Sequence, residues 1–206
     1  MSKYIGPIWR KSCALNFPLL GGKEFSRGKK RKTLPGIHGG KRKRYSAYAL
    51  QNKEKQKIRF RYGLRENQLY NLFIKVKDKQ GDAGDNLLIN CESRLDNVVF
   101  RSGVVNTLGF ARQLVSHGHA LVDGKKVTIP SFRLKPGQTI SLKKEKMAEN
   151  KLIKDSLAQN IKIPSFLDFK RKDTEININF SRYPNAEELE KGIDTSLVIE
   201  WYNRKI

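Results

Sequence analysis

Leu69, Leu72, Phe73 and Val76 recur at i, i+3, i+4 and i+7, the spacing of one face of an amphipathic helix. That helix closes at "DKQGDAGD", after which Asp85 is expected to cap a pattern with Leu88, Cys91, Leu95, Val98 and Val99 on one side, broken once near Glu92–Ser93. Thr107 then caps a short helix with Phe110, Ala111, Leu114 and Val115 inward and Arg112, Gln113 and Ser116 outward, and Gly118 supplies its left-handed terminator. "HALVDGKKVTI" reads as a hairpin, because apolar runs flank Asp123-Gly124. "KPGQ" makes a Pro-Gly turn before a strand "TISL", and "EININF" alternates as a strand that should pair with "FLDFKRK".

Elsewhere the pattern is thinner. Ser46 is placed to cap a helix running to about Tyr62 and ended by Gly63, yet "QNKEKQK" inside it has no apolar residue, so it can bury only a thin stripe. Residues 1–45 look irregular, although Trp9, Leu15, Phe17, Leu19 and Leu20 could tether parts of them; a segment that orders on RNA is the favoured reading. A charged helix is expected over roughly 145–160. Asn185 or Asp194 caps a final helix through "SLVIEWY", a stretch whose β-propensity alone would favour a strand.

Charge narrows the function. The 206 residues carry 42 Lys+Arg against 20 Asp+Glu, a net of +22, and such a surplus calls for a polyanion. Residues 1–65 hold 19 of the bases and only Glu24 and Glu54 as acids, which suggests a basic N-terminal arm on a more ordinary body. Cys13 and Cys91 stand alone, so neither a structural zinc site nor a disulfide framework is expected; Cys91 is read as a buried small hydrophobe. No stretch approaches a membrane span, and a reducing compartment is expected.

The chemistry that remains is contact with RNA. His117 and His119 flank Gly118, but a metal would need further ligands and Asp123 is the only acid in the motif. Nothing resembles GxxxxGK(S/T), GxSxG or HExxH, so no catalytic, metal or cofactor site is expected. If the apolar positions share a core, Arg94, Arg101, Arg112, Gln113, His117, Lys125 and Lys126 fall on or near one rim, where guanidinium forks bind phosphate and imidazoles reach ribose and base edges. Lys53, Lys55, Lys57, Arg59, Arg61 and Arg65 form a second phosphate-facing series on and after the polar helix.

"RLDNVVFR", "ARQLVSHGHALVDGKKV" and "IPSFRLKPGQTI", within Glu92–Leu142, resemble the RNA-binding module named after small-subunit ribosomal protein S-four. That module also occurs in pseudouridine synthases, tyrosyl-tRNA synthetases and a heat-shock protein. "YIGPIWR", "LPGIHGGKRKRYSAYALQNKEKQKIRFRYG", "ENQLYNLF", "RYPNAEEL" and "SLVIEWYNR" extend the resemblance, in order, to the ribosomal protein S-four family over nearly the whole chain.

The resemblance implies an α+β chain. A basic arm (1–45) precedes a mainly helical domain (46–91 plus 181–206), into which an L-shaped module of a helix-turn-helix pair and a small mixed sheet is inserted (92–180, core 92–157). It implies a non-enzymatic primary binder of the 5′ domain of 16S rRNA that nucleates assembly of the small-subunit body. It further implies contact with the neighbouring protein S-five, a part in translational accuracy, and a single copy per 30S particle in the cytoplasm or in an organelle. Lys41, Arg42 and Arg44, with Lys43 between them, match the family segment lining the channel through which mRNA enters. Many members hold a zinc on four N-terminal cysteines; with only Cys13 there, this chain resembles the zinc-free form. The rivals are an RNA-modifying enzyme, for which residues 143–206 are too short and ordinary, and a DNA-compacting protein, which leaves the module unexplained.

Overall fold

A computed structural model describes residues 4, 6–19, 34–41, 43–143, 163–171 and 175–204. Arg42, Leu20 and the charged helix expected over 145–160 lie outside these, as does the part of the module core beyond 143. The chain forms two compact units, one of Met1–Leu87 with Glu190–Ile206 and one of Leu88–Leu189. The second is therefore an insertion in the first.

The first unit is helical. Its α1 (Ile8–Leu15) corrects the expectation of an irregular arm. Ser12 and Leu15 are buried on its inner side, and Leu15, Phe17 and Leu19 pack with Phe60 and Ile193. This stretch is thus ordered by its own protein core, while Trp9 stays exposed. Next, α2 (Ala47–Arg61) starts where Ser46 Oγ accepts the Ala49 N–H at 3.3 Å, and the chain leaves it through Gly63 at φ 56°. The predicted face of α3 (Glu66–Lys77) is buried at Leu69, Leu72, Phe73 and Val76.

The C-terminal segment returns as a helix, not a strand. In α7 (Thr195–Asn203) Asp194 caps the Leu197 N–H, and Val198, Trp201 and Tyr202 are buried; α7 packs along α2. Tyr202 stacks on Phe73 with ring centroids 4.8 Å apart. Burial of three residues over two turns outweighs β-propensity here.

Helix α4 (Ala83–Glu92) crosses from one unit to the other in sequence. Its cap is Asp82, whose Oδ2 accepts the Asp85 N–H at 3.1 Å; Asp85 itself lies inside the first turn. The break near Glu92–Ser93 is present, and α5 (Leu95–Arg101) follows.

In the second unit α5 and α6 (Leu108–Ser116) pack against a five-stranded sheet. Its strands are β1 (Ala120–Val122), β2 (Lys125–Lys126), β3 (Gln138–Lys143), β4 (Leu167–Arg171) and β5 (Glu175–Phe180), in the order β2-β1-β3-β5-β4. Among the described residues every pairing is antiparallel, so the small sheet is not mixed as expected; the β1–β2 and β4–β5 hairpins flank β3, which pairs with β1 on one side and β5 on the other. The alternation in "EININF" is realised, with Ile176, Ile178 and Phe180 buried and paired to β4 as anticipated. They join Ile140, Leu142, Ala120, Val122 and the inner faces of α5 and α6 in one core.

Candidate nucleic-acid interface

The module's polar rim is built from α5, α6 and the β1–β2 hairpin. Thr107 Oγ1 accepts the Phe110 N–H at 3.2 Å and starts α6. Gly118 ends it at φ 76°, while the His119 N–H returns to the Leu114 carbonyl. A Cβ at Gly118 would sit 2.1 Å from Lys126 Cε. The left-handed backbone is what favours glycine there, since the flexible end of Lys126 can swing away from an added methyl. The two imidazoles, with ring centroids 6.3 Å apart, flank that glycine.

The hairpin is held rigidly. Asp123 and Gly124 take φ of 49° and 79° at its tip, and register pairs Val122 with Lys125 and Leu121 with Lys126. Asp123 is clamped to β3: its Oδ1 accepts the Thr139 N–H at 2.9 Å and its Oδ2 the Gln138 amide at 2.7 Å. These donors, the Thr139 N–H first, hold its carboxyl below the ordinary range. Lys125, Lys126, Gln113 and His117 are exposed around this frame.

The arginines of the rim behave differently. Arg94 is buried, and its Nε and Nη2 reach the two carboxylate oxygens of Asp96 at 3.0 and 2.9 Å. It does not stand on the rim as expected; its backbone bridges Arg133 while the side chain turns inward. Arg112 Nε donates to the same Asp96 at 2.7 Å from α6. Arg101 grips buried Glu92 through two bonds of 3.1 and 2.6 Å, and Glu92 also accepts from the Asn97 amide. The Arg101 and Arg112 side chains remain 22 % exposed. Two buried carboxylates thus orient guanidinium groups at the edge of the core, where planar forks keep directional donors. Glu92 and Asp96 escaped the sequence reading; the available signal was an acid set among apolar helical positions.

On α2 the basic series divides. Lys55 is buried, paired with Glu66 Oε1 at 2.6 Å and poised 3.6 Å from the Trp201 ring centroid, so it is not a phosphate-facing residue. Lys57 pairs with Glu54 at 2.7 Å and donates to the Gly192 carbonyl. Arg61 pairs with Glu190 at 3.0 Å, and Arg59 bonds Gln56 at 3.2 Å. Folding uses these cations internally because α2 is covered by α7 and the segment before it. Lys41, Lys43, Arg44 and Arg65 are exposed, while Lys53 lies half-buried with its ammonium 5.2 Å from the Tyr45 ring.

Among the described residues no three His, Cys, Asp or Glu side chains gather as metal ligands, and no helix is long and apolar enough to cross a membrane. Burial pushes the Cys91 thiol up to about 12, so it stays protonated and unreactive.

The family comparisons agree with this architecture. The model of the ribosomal protein S4/S9 N-terminal domain matches residues 3–92, and the S4 domain model matches residues 93–140. The chain is 48% identical over 208 residues to small ribosomal subunit protein uS4 of Oenococcus oeni, covering 99% of each. It belongs to the uS4 family. The uS4 proteins of Mycoplasma capricolum and Lactobacillus gasseri are 46% and 44% identical over 209 residues each, with 99% and 100% of the relative covered. Because similarity to uS4 runs the whole length and not through the module alone, the chain is not an RNA-modifying enzyme that borrowed the module.

Proposed function

We propose that this chain is a structural protein of the small ribosomal subunit, in the cytoplasm, and that it binds 16S rRNA in the 5′ domain early enough to nucleate assembly of the subunit body. The observation that carries this reading is end-to-end similarity to uS4 proteins, joined to a rigid module whose exposed edge bears Gln113, His117, Lys125 and Lys126. Arg101 and Arg112 add oriented guanidinium groups beside them, and Arg65 and Lys53 add charge in the helical unit. Contact with protein S-five, a share in decoding accuracy and a channel-lining role for Lys41, Arg42, Lys43 and Arg44 belong to the same proposal. They draw on family resemblance and, for Lys41, Lys43 and Arg44, on exposure.

Affinity in this reading comes from counterion release, and selectivity from a preorganised shape meeting folded RNA, since duplex RNA offers few readable base edges. With ~6–10 phosphates neutralised, affinity falls by ~10³–10⁵ between about 50 and 200 mM salt. The test is sedimentation. A tagged chain should travel with 30S particles through a sucrose gradient, and its exclusion from them would refute the proposal.

A further inference from the structure

Residues 43–48, which lead into and begin α2, are all exposed, and two tyrosines lie among them. Tyr48 is 57% and Tyr45 39% exposed. A lone exposed tyrosine is ordinary, but here one ring has an aromatic neighbour behind it and the other a lysine over it. Tyr48 ends a run of rings that starts in the core. Phe73 stacks on Tyr202 at 4.8 Å, Tyr202 meets Trp201 edge-on at 5.0 Å, and Trp201 lies 6.5 Å from Tyr48 at a tilt of 38°. Phe73 and Tyr202 are fully buried, so the surface ring is backed by a rigid stack. Tyr45 is steadied by Lys53 at 5.2 Å from its centroid. From Lys41 to Lys53 the sequence has five Lys or Arg and no acid.

We propose that Tyr45 and Tyr48 form a stacking platform for unpaired bases of single-stranded RNA, with Lys43, Arg44 and Lys53 neutralising the adjoining phosphates. Exposed aromatic rings interleaved with cations are what sequence-tolerant single-strand binding requires, because every base presents a π-face and every nucleotide a charge. An apolar protein partner fits less well, since docking it would desolvate the surrounding cations without neutralising them. The core-anchored stack presets the Tyr48 ring, so little ordering entropy is lost when a base lands on it.

This inference rests on reading the chain as an RNA binder, and the experiment separates the two. Fluorescence anisotropy on the full chain compares a short oligouridylate with an abasic oligomer of equal length and charge. The oligouridylate should bind about tenfold more tightly, a stacking-sized difference. Y45L/Y48L should erase that preference, and Y45F/Y48F should keep it. Equal binding of the two oligomers by the unmodified chain, or a preference that survives Y45L/Y48L, overturns the platform. If the chain meanwhile still binds folded 16S rRNA, the platform alone has failed; if it binds neither oligomer nor rRNA, the RNA reading has failed with it.

Discussion

Arg112 on α6 donates its Nε–H to Oδ2 of Asp96 on α5 at 2.7 Å, and that carboxylate has no solvent exposure. The same oxygen receives Nη2 of Arg94 at 2.9 Å. One buried anion therefore ties two guanidinium groups and two helices together. The carboxylate is stable there because charge-assisted bonds replace its lost hydration.

Asp96→Asn tests this directly. The amide keeps the volume but removes the charge, leaving Arg94 buried beside an uncompensated site. Breaking such a pair costs about 3–5 kcal/mol. Urea unfolding should show the midpoint falling with the slope unchanged, and rRNA affinity should fall as well because Arg112 loses its anchor. A loss below about 1 kcal/mol would show that the carboxylate is not what holds the two helices.

Gly118→Ala should damage the rim by a different route. The left-handed backbone costs a non-glycine residue about 1–2 kcal/mol, and the new methyl would displace Lys126. Thermal unfolding should reveal a stability loss of that size, with weaker rRNA binding in addition. Adding Lys126→Ala should recover little of the stability, because the strain lies in the backbone and the flexible lysine end can swing aside at small cost, while the binding defect remains. Full recovery in the double variant would show that the Lys126 contact, and not the backbone angle, sets the cost.

The features legible in the sequence are those whose cause is local. Ser46, Thr107 and Asp194 cap the helices they precede, and Gly118 and Asp123-Gly124 turn the chain where their backbone preferences dictate. What needed a distant partner was hidden. Lys55 reads as one more solvated base until Trp201, far along the chain, is folded over it. Helix α1 sits in a basic, glycine-rich context, and only the packing of Leu15, Phe17 and Leu19 on Phe60 and Ile193 repays its ordering. Arg94 differs from a rim arginine only by Asp96 two residues on, a pairing that any surface loop could also contain. Asp85 reads as the cap of α4, but the loop before it ends three residues earlier, so Asp82 takes that place.

Acid stability should depend on Glu188. It accepts from both terminal nitrogens of Arg182 at 2.7 Å, from Ser165 Oγ and from the Asn185 N–H at 2.9 Å. Those donors, Arg182 first, lower its carboxyl to about 2 from an ordinary 4.5. A carboxyl depressed by folding stabilises the fold above its unfolded value and loses that contribution as pH falls. The loss should therefore develop between about pH 4.5 and 2. Glu188→Gln should be less stable than the unmodified chain at neutral pH and should approach it toward pH 2. Two acid-unfolding curves that stay parallel would refute the assignment.

Lys125 and Lys126 offer the cleanest measure of the module's electrostatics, because they are exposed on the hairpin whereas Arg112 also holds the fold together. Their removal should leave stability within about 0.5 kcal/mol, the usual range for surface sites. Each phosphate that a side chain ceases to neutralise takes about 0.7–0.9 from the slope of log K against log salt. K125A/K126A should thus flatten the slope by about 1.5 if both lysines meet phosphate. A filter-binding series on folded 16S rRNA across about 50–200 mM salt resolves such a change. Weaker binding at an unchanged slope would mean that the lysines position the RNA through hydrogen bonds and not through charge. An unchanged affinity would place the RNA-binding surface elsewhere on the molecule, away from the Gly118 corner.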